Sequence, residues 1–122
     1  AAMATINTIP EGGSVSASTP LIPHLAARPV LIRFPDHVDY TDRAGVDRSV
    51  DWLAIDLDYH SRDAKRVAKH RRNWEKIKTR LNALEANYTP QVVNDGVVVL
   101  KRGSDANPAA AQAYQQLRQA LP

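Results

Sequence analysis

Ser14–Pro35, SVSASTPLIPHLAARPVLIRFP, is the stretch that decides the fold class. Ser14–Ala17 reads as a short strand. Ser18 or Thr19 then caps a helix whose first-turn Pro20 has no amide donor to lose. That helix is expected to run to about Ala27, and Val30–Phe34 follows as a β-branched apolar strand bounded by Pro29 and Pro35. A strand, a capped helix and a second strand within 22 residues form a β-α-β unit, whose crossover is right-handed and whose strands pair in parallel.

Working outward, residues 1–9 read as a helix that ends at Pro10, with Glu11-Gly12-Gly13 as a turn. Asp36–Ser49 is polar and turn-rich and reads as a long loop. Trp52–Leu57 is a third strand, apolar on both faces, as in strands buried between two layers. Ser61–Asn87 reads as the longest helix, with Val67, Arg71, Trp74, Ile77, Leu81 and Leu84 on one stripe and a basic remainder. Thr89–Val93 and Val97–Arg102 are strands joined by Asn94-Asp95-Gly96, a tight-hairpin signal. Asn107 caps a last helix that Pro108 starts, with Ala113, Tyr114, Leu117 and Leu121 inward.

The expectation is one α/β domain over residues 1–122, with a helix and turn at 1–13, a core at 14–103 and a C-terminal helix at 104–122. Its expected architecture is a Rossmann-like, mostly parallel sheet flanked by helices, with the C-terminal hairpin adding an antiparallel edge. At 122 residues the chain suits one core rather than two. It has no cysteine, which excludes disulfides and thiolate metal sites. Apolar runs such as Val97-Val98-Val99-Leu100 fall far short of the roughly 18 residues of a membrane span. Residue 1 is Ala inside a helix-like stretch, and the expectation is a segment excised from a longer protein.

The net charge of +3 hides a separation. Between Arg62 and Arg80 stand nine basic residues against Asp63 and Glu75, a local excess of seven that leaves the rest of the chain four net negative. Seven aspartates lie between Asp36 and Asp58.

The run Ile9-Pro10-Glu11-Gly12-Gly13-Ser14-Val15-Ser16-Ala17-Ser18, with Leu21-Ile22-Pro23-His24-Leu25, Arg28 and Phe34-Pro35, resembles a known pattern. It is similar to the soluble C-terminal region of the DUF2079 group, predicted polytopic membrane proteins related in layout to membrane glycosyltransferases that use lipid-linked sugars. The strand Trp52–Leu57 and the hairpin through Asn94-Asp95-Gly96 to Gly103 belong to the same pattern, which covers most of residues 5–103. The long basic helix and the tail after Gly103 fall outside it. In such families the catalytic acid sits in loops of the membrane part, so no catalytic residue carries over to this chain. The resemblance implies an extracytoplasmic (periplasmic) accessory domain in a bacterium, whose first partner is the membrane portion of its parent.

Candidate sites follow from chemistry. In open α/β sheets ligands bind beyond the carboxyl ends of strands, where strand order reverses. That point would gather Ser18, Thr19, Asp56, Asp58 and His60, and a free helix N-terminus there favours an anion. No GxGxxG or Walker-type loop follows the first strand, so no nucleotide cofactor is expected. Asp56-Leu57-Asp58 has the D-x-D form that metal-dependent sugar transferases use to hold a divalent cation. The plainer reading is that both carboxylates end the strand and cap the next helix. His24, His37, His60 and His70 lack metal-ligand spacing, and no metal is expected.

The basic helix is the sharpest feature. Lys65, Arg66, Lys69, Arg71, Arg72, Lys76, Lys78 and Arg80 form a candidate anion-binding face for phosphates of lipid head groups or nucleic acid. Nucleic acid is the disfavoured partner, because the overall charge is modest and no nucleic-acid motif is present. The plain alternative is a solvated helix face paired with the Asp-rich segment.

Overall fold

In the computed structural model, residues 2–66 and 71–121 are described. Among the described residues there are seven strands: β1 (Val15–Ala17), β2 (Leu31–Arg33), β3 (Asp39–Thr41), β4 (Asp47–Ser49), β5 (Trp52–Asp56), β6 (Tyr88–Asn94) and β7 (Val97–Arg102). The helices are α1 (Ala2–Ile6), a 3-10 helix (Thr19–Leu25), α2 (Leu57–Arg66), α3 (Arg71–Leu84) and α4 (Pro108–Ala120).

Five strands form one sheet in the order β2-β1-β5-β7-β6, and β3-β4 form a separate hairpin. β1 pairs in parallel with β2 and with β5, through three residue pairs each. β7 pairs antiparallel with β5 through five residue pairs and with β6 through six. The expected Rossmann-like, mostly parallel sheet is therefore wrong: the sheet is mixed, and its antiparallel ladders are the longer ones. The domain is still α/β. The reason for the mixture is composition. In β7, Val97, Val98, Val99 and Leu100 are all buried, so this strand needs cover on both faces and a neighbour on both edges. β6 carries Pro90, which has no amide to donate and suits an edge. β7 is thus inserted between β5 and β6, and the hairpin joins the sheet through its second strand.

Side-chain alternation divides the interior into two layers. Leu53 and Ile55 of β5, with Val98 and Leu100 of β7, pack against Leu57, Trp74, Ile77, Leu81 and Tyr114 on the side of α2, α3 and α4. Trp52 and Ala54, with Val97 and Val99, pack against Ile6, Ile9, Leu21 and Leu25 on the side of α1 and the 3-10 helix. Tyr88 closes the first layer, and its hydroxyl donates to the carbonyl of Val50. Burial there pushes the phenol up to about 12.

Three further expectations need correction. The helix after β1 is a seven-residue 3-10 helix, because Pro20 and Pro23 lack the amides an α-helical ladder requires. Ser18 makes no side-chain cap bond to it. The polar stretch after Pro35 contains the hairpin β3-β4, whose strands are tied by side chains rather than by apolar alternation: Ser49 donates to Asp39, and Thr41 to Asp47. Finally, the stretch read as one long helix contains two helices, α2 and α3, which pack against each other. Residues 67–70, with Val67, Lys69 and His70, lie outside the described residues. Asn107 does cap α4, accepting from the amide of Ala110.

Asp95 (φ 51°) and Gly96 (φ 82°) occupy the left-handed region, the geometry of a two-residue primed hairpin turn. A Cβ at Gly96 would lie 2.6 Å from Cβ of Asp58, whereas one at Gly45 (φ 79°), in the β3-β4 turn, meets nothing within 4 Å. Gly45→Ala should therefore cost only the left-handed strain, about 1 kcal/mol. Gly96→Ala adds overpacking against α2 and should cost about 3 kcal/mol. Urea unfolding of both variants checks this, and equal losses would mean that the turn does not press on α2.

Candidate site at the carboxyl edge of the sheet

β5 runs into α2 without a loop. Asp56 is the last strand residue and also the cap of α2, because its Oδ1 accepts from the amide of Tyr59 at 3.0 Å. The first helical amide, Leu57, donates to the carbonyl of Gly96 at 2.9 Å, so the hairpin turn satisfies the donor that the cap leaves over.

Ser18 lies at the end of β1 with no solvent exposure. Its Oγ accepts from the amide of Asp56 at 3.0 Å and lies 2.9 Å from Nε2 of His60. A hydroxyl so enclosed is a tie between β1, β5 and α2, not an attacking group. The ring of His60 stands edge-on to Phe34 and to Tyr59, with centroids 6.0 and 5.2 Å away.

Of the five residues expected to converge here, Ser18, Asp56 and His60 form one bonded cluster. Asp58 forms an ion pair with Arg62, one turn along α2. Thr19 is exposed at the start of the 3-10 helix. The Ser18 hydroxyl at that helix start is taken up by the Asp56 amide and His60. Beside the cluster lies a cleft of about 260 Å³ lined by Pro20, Asp56, Asp58, Tyr59, Arg62 and Arg66. Tyr59 is the residue missed by sequence reasoning. It is 39% exposed, and its signal was an aromatic ring placed off any apolar stripe in Asp58-Tyr59-His60-Ser61.

Both D-x-D carboxylates thus have protein partners. Among the described residues, no cluster of three or more His, Asp or Glu side chains is placed to hold a metal ion. The Asp56 carboxyl is raised above its ordinary value, chiefly by burial, with the Tyr59 amide opposing and the Asp58 charge adding to the rise. His24 is exposed.

The basic residues are spread over two helices. Arg66, Arg71, Arg72 and Lys76 are exposed. Lys78 is turned inward, pairing with Glu75 at 2.8 Å and lying 5.8 Å from the Trp74 ring centre. Arg80 is half-buried with its Nε enclosed. Lys69 and the side chain of Lys65 lie outside the described residues.

Among the described residues, the expected pairing of this basic surface with the Asp-rich segment is seen between Arg62 and Asp58. Asp42 pairs with Arg48 and accepts from the amides of Ala44 and Val46, which hold its carboxyl below the usual range. Asp51 faces Arg102 at 3.6 Å.

The DUF2079 family profile, described as predicted membrane protein, matches residues 1–99. The chain belongs to the DUF2079 family. No curated protein and no solved structure is significantly similar to it. The match within this DUF2079 chain includes Ser18, Asp56, Asp58, His60 and Gly96, and it runs through both basic helices, which the resemblance had left out. Among the described residues, no helix is long and apolar enough to cross a membrane.

A carboxyl whose native pKa is raised binds its proton more tightly in the folded chain than in the unfolded one. The contribution of Asp56 to stability therefore falls as pH climbs from about 3.8 through its raised native value. Asp56→Asn keeps the acceptor for Tyr59 and removes the charge. The stability of this variant relative to the parent should rise across that window and level off above it. Urea midpoints measured from pH 3 to 8 test the sign, and a relative stability that falls with pH would refute it.

Proposed function

We propose that this domain is a non-catalytic, extracytoplasmic accessory module of a polytopic, glycosyltransferase-like membrane protein. Membership of the DUF2079 family of predicted membrane proteins carries the reading. The engagement of Asp56 and Asp58 as helix cap and ion-pair partner supports the accessory role. The resemblance in layout to transferases with catalytic acids in membrane-part loops supports the assignment of chemistry elsewhere in the parent. Such a module would shape access of an acceptor or stabilise the membrane portion.

The test is the address of the native product. An antibody to this domain should detect a membrane-bound species much larger than 122 residues, cleaved by protease added from outside the inner membrane. A small band in the soluble fraction would defeat the proposal. A second reading, a metal-dependent sugar-transfer site at Asp56 and Asp58, is favoured by the adjoining cleft. Millimolar Mn²⁺ or Mg²⁺ should leave the melting temperature unchanged on the accessory reading. An upward shift that Asp56→Ala abolishes would establish the metal site instead.

A further inference from the structure

Arg62 and Arg66 lie one turn apart on α2, and Arg72 and Lys76 one turn apart on α3, so each pair shares a ridge of its helix. The two helices pack against each other. The five chain steps from Arg66 to Arg71 hold those residues within about 18 Å at most. Arg66, Arg71, Arg72 and Lys76 are all exposed. Among the described residues, no carboxylate pairs with any of these four.

Several acids of the chain have cationic partners of their own. Asp58 holds Arg62, Asp42 holds Arg48 and Glu75 holds Lys78. Glu75 and Asp36 line a groove together with Lys76 and Arg80.

We propose that Arg66, Arg71, Arg72 and Lys76 form a docking surface for an anionic lipid bilayer, which lays the α2-α3 face of the domain on the membrane of its own parent. The proposal rests on the membrane-tethered reading above. Three features favour a bilayer over nucleic acid. The family is one of predicted membrane proteins. The whole chain is only +3. The four cations occupy two adjacent packed helices, whose exposed aromatic ring among the described residues is Tyr59 alone, too few for a row of stacked bases.

The strength required is small. A cation near an anionic surface improves partition about fivefold, and four of them several hundredfold. That is enough for partition onto vesicles at low salt, and too weak to hold a free protein on a bilayer at physiological salt. A domain already tethered to the bilayer needs no more, because its surface and the head groups meet at high effective concentration. A folded segment this long also exceeds the loops whose charge sets membrane topology, so a basic face is compatible with translocation.

The experiment is co-sedimentation of the 122-residue chain with vesicles of phosphatidylcholine containing about one-third phosphatidylglycerol, at low and at 0.5 M salt. Binding is expected at low salt. It should be lost at high salt and absent with pure phosphatidylcholine. Arg71→Gln with Arg72→Gln should weaken it about thirtyfold. Arg43→Gln, in the β3-β4 turn, should leave it unchanged, and circular dichroism confirms that each variant is folded.

Equal binding to neutral vesicles would overturn the proposal, as would no binding at low salt or an inert double variant. Salt-sensitive binding to duplex DNA without vesicle binding would replace the bilayer with nucleic acid. Failure here alongside a membrane-bound native product removes the docking surface alone. Vesicle binding by a chain whose native product is soluble removes the tethered reading and keeps the surface chemistry.

Discussion

Strand β5 has to be buried on both faces, and the rest of the domain is arranged to do it. Leu53 and Ile55 point into one layer and Trp52 and Ala54 into the other. A strand with this pattern needs a layer of helices on each side and a ladder on each edge. β1 and β7 supply the edges. α2, α3 and α4 supply one cover, and α1 with the 3-10 helix supplies the other. Because β5 passes directly into α2, the helix start is fixed by the sheet. The amide of Leu57 is taken by Gly96, and Asp56 caps the helix while its own amide is held by Ser18. The end of the sheet that would be open for a ligand in a doubly wound fold is thus largely closed by the domain's own bonds. The shallow cleft around Tyr59 is what is left.

The sequence carried the positions of the main strands, because apolar or β-branched runs bounded by Pro, Gly and Asp leave little choice. Val30–Phe34 and Val97–Arg102 are examples. It also carried the turn at Asn94-Asp95-Gly96 and the cap at Asn107. The neighbour of β5 was harder to read. A hairpin pattern states that two strands pair, not which of them meets the sheet. The decisive signal was four consecutive apolar residues in β7 against Pro90 in β6, a contrast in burial need that periodicity alone does not express. The β3-β4 hairpin was hidden for a different reason. It is held by Asp-Ser and Asp-Thr hydrogen bonds, and polar residues with that composition also describe a loop.

The candidate site was legible in its membership and not in its bonding. Ser18, Asp56 and His60 do come together, as expected from the ends of β1 and β5. A sequence does not reveal that Ser18 turns away from its own helix toward the amide of Asp56. Nor does it reveal that Asp56 does capping work, since a D-x-D at a strand end has the same letters in either role.

The separation of charge follows from the same architecture. Six of the seven aspartates from Asp36 to Asp58 lie in or beside the β3-β4 hairpin and at the ends of β5, with Asp58 in the first turn of α2, and turns consume carboxylates as acceptors for backbone amides. Asp42 and Asp56 do this directly. Beyond the cap at Asp56 the turns of α2 and α3 satisfy their own backbones internally, so Arg66, Arg71, Arg72 and Lys76 are left to face solvent. Acid bound up in turns and base exposed on helices give a +3 chain a surface far more polarised than its net charge indicates. Such a surface orients a tethered domain more effectively than it recruits a free one. A weak, directional attraction has little effect on an equilibrium in solution, but it selects one face of a body already confined beside a charged plane.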